Sequence, residues 1–296
     1  MYPDFRGLGR EEILKILAVV ILSDGTLLNS YKKAIKLLTS NKSECQHDFF
    51  KFLCLKTFDK EPKKCYVKFV SGKTGRAERY IQSTLSSKEV VKDLLCLNQN
   101  YKTTKGKLSE KDFLALQQPS LNFLSDESEK LKWLALRTWF DFDGCIMPSF
   151  KLKRKVEKKK DNQYIYYQVQ FECEIRIAET NPSLVKDLLK LCRDLGLRAI
   201  KKKKSNWSGI DGICFSRFDD IRKFVFHGPV TEVPVSRKSP RFYGISKRKI
   251  CHAVKSILAD DLIKKSKYFK NKSGAVKYKK QMDRILFDSI KKVNDL

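Results

Sequence analysis

The 296-residue chain contains no apolar run long enough to cross a membrane. Its longest, Ile16–Leu22, has seven residues, whereas a spanning helix needs about 20. No two of its nine cysteines have CxxC spacing and there are only three histidines, so we do not expect a structural zinc site. Met1–Phe5 lacks the charged and apolar stretches of a secretory signal. We therefore expect an intracellular protein without a membrane partner, whose cysteines are free and mostly buried thiols.

Acidic residues are few relative to basic ones. The chain has 62 Lys and Arg against 34 Asp and Glu, which gives a net charge of +28. Such an excess is typical of proteins that bind a polyanion, either nucleic acid or an anionic membrane surface. Apolar residues still make up 42% of the chain, which is enough for an ordinary hydrophobic core and argues against wholesale disorder.

The spacing of apolar residues predicts the same order of elements twice. In the first half it predicts a helix over Glu11–Leu22 that ends at Asp24-Gly25, followed by two strands, a helix, two strands and a helix. In the second half the helix Leu131–Phe142 ends at Asp143-Gly144 and the same order follows, with a longer first hairpin. The predicted fold class is therefore α+β with an internal repeat.

The repeat also predicts the division of the chain. We predict a first repeat over residues 1–111, a linker over 112–130, a second repeat over 131–246 and a tail over 247–296. The tail has the pattern of one or two basic helices.

Both Asp-Gly segments carry a specific resemblance. Leu17–Gly25 reads LAVVILSDG and Leu136–Gly144 reads LRTWFDFDG. Both resemble the signature nonapeptide of the LAGLIDADG homing endonucleases, and each heads the same order of elements. The resemblance covers roughly residues 10–230. It implies two αββαββα repeats related by a pseudo-two-fold axis, with antiparallel sheets that form a saddle over DNA.

The chemistry of the two Asp-Gly ends follows from the packing of two helices. If the helices lie side by side in parallel, with small residues such as Ala18 and Thr138 between them, Asp24 and Asp143 meet at one end. Two close carboxylates repel each other, and a divalent cation relieves that repulsion. We expect both aspartates to be catalytic and to ligate Mg²⁺ or Mn²⁺. Asp141 has an apolar counterpart in the first helix and is expected to be structural or to form hydrogen bonds.

The resemblance implies further site residues at matching positions. A polar residue ends the second strand of each repeat, which corresponds to Ser40 and Glu179 here. Each could orient an attacking water or cap the next helix. A basic residue follows the third helix of each repeat, which corresponds to Lys102 or Lys105 in the first repeat and to Lys238 in the second.

The predicted strands also carry candidate DNA contacts, because alternation places every second side chain on one face. Lysines on that face would neutralise phosphates, and glutamines would read base edges. The candidates are Lys32, Lys36, Lys151, Lys153, Lys155, Gln168, Gln170, Lys201 and Lys203. A solvated sheet face is the alternative interpretation.

The predicted function is that of a site-specific, intron-encoded homing endonuclease, a monomer that makes a metal-dependent double-strand break in a long asymmetric target in double-stranded DNA. One alternative is an RNA maturase, which would bind its host intron RNA and would not need the aspartates. Another is a non-catalytic DNA-binding regulator on a degenerate copy of the fold, which the presence of both aspartates disfavours. The expected location is the cytoplasm or an organelle of the intron host.

Overall fold

The computed structural model describes residues 2–40, 43–70, 77–159, 162–236, 240–260 and 266–292. The order αββαββα occurs twice, around two antiparallel sheets, which confirms the predicted fold class. The elements of the first repeat are α1 (Arg10–Ser23), β1 (Gly25–Asn29), β2 (Lys33–Ser40), α2 (Glu44–Phe58), β3 (Lys63–Val70), β4 (Ala77–Ser86) and α3 (Lys88–Leu97).

Among the described residues, a short helix separates the repeats, and two further helices with one strand follow the second. The elements from there onward are α4 (Glu110–Ala115), α5 (Glu129–Asp143), β5 (Gly144–Lys159), β6 (Asn162–Ile177), α6 (Pro182–Asp194), β7 (Ile200–Lys203), β8 (Ile210–Phe215), α7 (Phe218–His227), α8 (Lys247–Ala259), β9 (Lys267–Phe269) and α9 (Lys272–Lys292). The longer hairpin of the second half, β5–β6, is confirmed.

The two sheets share one strand order but differ in size. The first has the order β1-β2-β4-β3 and the second β5-β6-β8-β7. Strand β1 has five residues, whereas β5 and β6 have 16 each. At about 3.3 Å per residue the second hairpin is about 50 Å long. Its far half extends beyond β8, which pairs only with the last residues of β6.

Helices α1 and α5 lie at the centre of the molecule and pack against each other. Lys15 of α1 forms an ion pair with Glu127, just before α5 begins. Lys130 of α5 donates from Nζ to the carbonyl of Arg6, just before α1 begins, at 3.1 Å. Because both contacts join the N-terminal halves of the two helices, α1 and α5 run in the same direction.

Side-chain caps set the beginnings of several helices. Ser87 caps α3, since its Oγ accepts the N–H of Val90 at 3.5 Å. Ser128 caps α5 in the same way, accepting the N–H of Leu131 at 3.3 Å. These caps satisfy backbone donors that a helix leaves without an internal partner.

Residues 247–260 and 266–292 pack onto the second repeat. Helix α8 packs against α7 and β5, and α9 packs against α8, β5 and β6. The apolar side of α9 buries Ala275, Met282, Leu286 and Ile290. The far half of the long hairpin extends beyond β8, so its inner face needs this cover. The tail also contains β9, a three-residue strand that the sequence analysis missed because so short a segment has no measurable period.

Within the described ranges no helix combines the length and apolar composition needed to cross a bilayer. All nine cysteines are free. Five of them are buried, which confirms the predicted mostly buried thiols: Cys54, Cys173, Cys192, Cys214 and Cys251.

Candidate active site and nucleic-acid interface

The two Asp-Gly ends have the same tight geometry. Asp24 and Asp143 stand at the C-terminal ends of α1 and α5, and a strand begins at the glycine that follows each. A Cβ on Gly25 would lie 2.6 Å from a backbone Cα of α1, and one on Gly144 would lie 2.5 Å from a backbone carbonyl oxygen of α5. Neither glycine has a positive φ. Both are required because the strand leaves so close to the helix that a side chain would clash.

Parallel packing brings both aspartates to one end of the helix pair. Helix α1 has 14 residues and α5 has 15, so these parallel helices end on the same side of the molecule. Ala18 and Thr138 are fully buried, as expected for small residues between closely packed helices. Asp24 is exposed and Asp143 is half-buried.

Glu179 lies beside Asp143, at the point where β6 returns to the end of α5. The N–H of Ala178 donates to the carbonyl of Asp143 at 2.9 Å. The carboxylate of Glu179 is buried, and its Oε1 accepts the N–H groups of Thr180 and Asn181, both at 2.7 Å. Burial, with the charge of Asp143, raises the pKa of Glu179 to about 8, although the two N–H donors oppose the shift. The structure thus brings two of the predicted site residues together.

The alternative role of Glu179 as the cap of the next helix is wrong. Asn181 caps α6, since its Oδ1 accepts the N–H groups of the second and third residues after it, at 2.9 and 3.3 Å. Its Nδ2 donates to Gln118 Oε1 at 3.0 Å and to the carbonyl of Thr103 at 3.5 Å. The segment between the repeats therefore contacts this end of the site.

The described contacts do not join the remaining predicted catalytic residues to Asp24 or Asp143. Lys102 is exposed and precedes the residue whose carbonyl contacts Asn181. Lys105 donates from Nζ to a carbonyl of its own loop at 2.9 Å. Ser40 ends β2, and its side chain lies outside the description. Lys238 lies outside the described residues.

A lysine that the sequence analysis missed holds the end of α5. Lys247, the first residue of α8, is buried, and its Nζ donates to the carbonyls of Phe140 and Asp141, both at 2.8 Å. Burial lowers the pKa of Lys247, while the carboxylates of Asp141 and Asp143 oppose the shift. A cation at this position stabilises the negative end of the helix dipole. No pattern distinguishes Lys247 from the many other lysines of the sequence.

Asp141 confirms its predicted structural role. Its Oδ2 accepts the N–H of Thr231 at 2.7 Å, and its carbonyl accepts Nε2 of Gln46 at 3.2 Å. Burial raises the pKa of Asp141 to about 7, although Lys247 and the Thr231 N–H oppose the shift. These contacts tie α2, α5 and α8 together behind the two catalytic candidates.

The outer face of the long hairpin carries most of the predicted DNA contacts. In the register of β5 and β6, Lys151 lies opposite Gln170 and Lys153 lies opposite Gln168. Lys155 continues the row toward the hairpin tip. The residues between them alternate toward the buried inner face, so these five side chains share the face that points away from the helices.

The same face also carries carboxylates. Glu172 forms an ion pair with Lys153 and accepts Nε2 of Gln170 at 2.5 Å. Glu174 accepts Nζ of Lys202 on both carboxylate oxygens, at 2.9 and 2.8 Å. Carboxylates can accept hydrogen bonds from cytosine amino groups, whereas lysines mainly neutralise phosphates. A mixed face of this kind has the groups needed to read base edges.

Contrary to the expectation, the side chain of Gln168 does not reach solvent. Its side chain is 7% exposed, and its Nε2 donates to Oγ of Ser266 at 2.8 Å. The segment that covers it belongs to the tail, which the sequence analysis left outside the repeat.

The expectation that Lys201 and Lys203 line the outer face is also wrong. Lys201 pairs with Ile213, which is fully buried on the inner side of the sheet. A register shift after Lys202 keeps Lys203 on that same side, opposite buried Ile210. Because side chains alternate, Lys202 is the lysine of this strand that reaches the outer face.

The first sheet keeps its two predicted contacts at its outer surface. Lys36 pairs with Thr26 on one side and Thr84 on the other, in a row across three strands. Lys32 lies exposed in the turn between β1 and β2, with Nζ 5.7 Å from the ring centroid of Tyr31. Both lysines are placed where an approaching phosphate could meet them.

No protein-family model matches the chain, and no curated protein matches it. One similar solved structure is the homing endonuclease I-WcaI bound to its DNA recognition sequence. It has 16% sequence identity and a TM-score of 0.41, over 75% of this chain and 90% of that one. At this level of similarity, neither the family nor the function of the present chain follows from the comparison.

Proposed function

We propose that this chain is a site-specific DNA endonuclease of the LAGLIDADG type that acts as a monomer and makes a metal-dependent double-strand break. The observation that carries the proposal is the pair of packed, parallel helices that end in Asp24-Gly25 and Asp143-Gly144. Each heads the same ββαββα order, and each glycine admits no side chain. A structural helix stop does not require this geometry twice at the junction of two sheets.

The two aspartates fit a divalent cation whose remaining ligands would come from the DNA substrate and water. Among the residues that the structure describes, no group of three His, Cys, Asp or Glu side chains could hold a metal alone. Mg²⁺ is usually held by one or two carboxylates together with substrate phosphates and water, so Asp24 and Asp143 would hold Mg²⁺ or Mn²⁺ at the DNA. Bound there, the ion would activate a water and stabilise the leaving oxygen.

Two neighbouring side chains would support Asp143. Glu179 lies close to Asp143, and its Oε1 is held by the N–H groups of Thr180 and Asn181, so its carboxyl group would orient a water at the site. Lys247 fixes the last carbonyls of α5 and so positions the Asp143 backbone.

The substrate would be double-stranded DNA bound across both sheets. A major groove admits a β-ribbon, and the outer faces carry Lys36, Lys151, Lys155, Gln170 and Lys202. The net charge of +28 predicts binding that weakens steeply with salt, because each neutralised phosphate contributes about −0.9 to the slope of log K against log salt.

The test is selection of a binding site followed by cleavage. The protein would select from a pool of duplexes with a randomised centre, and the enriched duplex would be incubated with Mg²⁺ or with EDTA. We expect cleavage of both strands with Mg²⁺ and none with EDTA. The matched variant carries Asp24→Asn and Asp143→Asn together, and it should bind without cutting.

Three outcomes would overturn the proposal. Cleavage that persists in EDTA would exclude a metal-dependent mechanism. A consensus without cleavage in either Mg²⁺ or Mn²⁺ would indicate a regulator. Preference for a structured intron RNA over any duplex, again without cleavage, would indicate a maturase.

A further inference from the structure

The tail adds a strand to the second sheet at a point far from the helix pair. Strand β9 pairs antiparallel with β6, placing Tyr268 opposite Gln168 and Lys267 opposite Val169. Strand β8 pairs with β6 only at residues 175–177, so β9 occupies the same side of β6 further along the hairpin. The sheet is therefore three strands wide at this level, in the order β5-β6-β9.

Alternation fixes which side chain of β9 reaches the outer face. Phe269 and Lys267 point inward, since the Phe269 ring lies 5.4 Å from the ring of Tyr278 on α9 and Lys267 Nζ lies 4.6 Å from the same ring. Tyr268 points to the opposite side and contacts Tyr166 of the outer face, with ring centroids 5.6 Å apart. Tyr268 thus belongs to the face that carries Lys151 and Gln170.

Tyr268 is also the more accessible group of its row. It is 58% exposed, whereas its neighbour Gln168 is 7% exposed. The Gln168 amide donates to Oγ of Ser266 at 2.8 Å and to the Tyr268 hydroxyl at 3.5 Å. At this row the exposed phenol can donate its own proton to a ligand, whereas the amide is buried and already engaged.

We propose that β9 is an additional DNA-reading strand and that Tyr268 is a specificity-determining residue. This inference rests on the proposed endonuclease function. A phenol hydroxyl both donates and accepts hydrogen bonds, and its ring can contact a thymine methyl group. Lys270, exposed one residue beyond β9, supplies a cation for the adjacent phosphates.

The position of the contact on the DNA can be estimated. Tyr268 lies opposite Gln168, which lies opposite Lys153, nine residues along β5 from Gly144. At about 3.3 Å per residue this is about 30 Å from the helix ends. With about 3.4 Å per base pair, the contact falls at most about nine base pairs from the cleavage centre, and only on the side bound by the second repeat.

The experiment compares binding-site selections by the wild type, Tyr268→Ala and Phe226→Ala. Phe226 is a matched control because it is 70% exposed and lies on α7, which packs on the inner side of the sheet. From the randomised duplex pool, Tyr268→Ala should lose base preference at one to three positions near that outer limit on one flank. Affinity for the wild-type consensus should fall by about two- to tenfold, with no change for Phe226→Ala.

The outcomes separate this inference from the function on which it rests. If the wild type selects no consensus, the proposed function fails. If it selects one and Tyr268→Ala keeps the whole consensus, only the role of Tyr268 is overturned. Equal weakening on every duplex would assign Tyr268 to a phosphate and would also overturn a specificity role. Tyr268→Phe keeps the ring and removes the hydroxyl. If Tyr268→Phe loses the same base preference as Tyr268→Ala, the hydroxyl group carries that preference.

Discussion

The two halves of the molecule are alike where the helices meet and different where the sheets spread outward. Both central helices end in Asp-Gly, and both glycines lie too close to the helix to carry a side chain. The first hairpins, in contrast, begin with a strand of five residues in one half and 16 in the other. Among the residues that the structure describes, only the second half has a further chain segment, residues 247–260 and 266–292, that covers its hairpin.

The halves also differ in the polar groups behind their helices. In the second half, Lys247 donates to the carbonyls of Phe140 and Asp141 near the end of α5, and the buried carboxyl group of Glu179 feels the charge of Asp143. In the first half, buried His47 bridges two strands, with Nε2 2.8 Å from Thr39 Oγ1 and Nδ1 2.8 Å from Ser83 Oγ. The Asp-Gly helix ends, which the halves share, would cut two equivalent phosphodiester bonds. The hairpins, which differ, would read two different DNA half-sites, so their divergence leaves the geometry of the Asp-Gly ends unchanged.

The largest effect is expected from substituting either aspartate alone, which tests whether the two aspartates are equivalent. Asp24→Asn or Asp143→Asn alone should slow double-strand cleavage roughly 1000-fold or more, because each removes a charge that would hold the cation. DNA binding should survive, since the amide keeps the shape and lowers repulsion with phosphates. Cleavage and gel-shift assays on one selected duplex would check this.

The control for that pair is Asp288→Asn, which changes the same charge at an exposed position of α9. It should cut at the wild-type rate. A single aspartate variant that still cuts both strands rapidly would show that the halves are not equivalent and that its carboxylate is not a ligand.

The elements that the two halves share could be predicted from the sequence because they depend on patterns among neighbouring residues. The helical period ending at Asp24 and Asp143, the hairpin alternation and the cap at Ser87 each depend on neighbouring residues. The role of Glu179 was only partly predictable, since its position followed from the repeat but its burial beside Asp143 follows from the return of β6.

The parts that could not be predicted depend on contacts between distant segments. Lys247 reaches the carbonyl of Asp141 from 106 positions away in the chain, and nothing local marks it. Gln168 alternates correctly for an outer-face residue, but Ser266 covers it from 98 positions away. The lysines of β7 were placed on the wrong face because four residues contain too little pattern to fix the direction of alternation.

The next largest effect would test the cover of the second hairpin. Leu286→Ala should lower the free energy of unfolding by about 2–5 kcal/mol, because Leu286 is fully buried in α9. Hydrogen exchange should increase in the far half of β5 and β6 and remain unchanged in β1 and β2. Leu114→Ala, at a 43% exposed position, should change stability by less than about 0.5 kcal/mol. Uniform exchange across both sheets would contradict a cover specific to one half.

A smaller effect should appear at acidic pH and should arise in the first half. Burial lowers the pKa of His47 from 6.5 to about 4, so the folded protein holds this imidazole neutral. Its contribution to stability is complete above pH 6.5 and is lost as pH falls from 6.5 through 4. The slope is at most about 1.4 kcal/mol per pH unit. His47→Gln should flatten urea-unfolding free energies across this window, whereas exposed His252→Gln should not. Equal slopes for all three proteins would exclude His47 as the source.

The smallest expected effect would measure the reach of the two sheets on DNA. Lys151→Ala with Lys155→Ala removes two cations from the long hairpin, and Lys32→Ala with Lys36→Ala removes two from the short one. Each pair should reduce the slope of log K against log salt by up to about 1.8, because each phosphate contact contributes about 0.9.

Hydroxyl-radical footprints should then distinguish the two double variants by where protection is lost. The first pair should lose protection at the outer end of one half-site, up to about 11 base pairs from the centre, because Lys155 lies 11 residues along β5 from Gly144. The second pair should lose protection within about five base pairs of the centre, on the other side. Footprints shortened equally on both sides would mean that the hairpin length does not set the contact length, and that the longer strands of the second half serve stability alone.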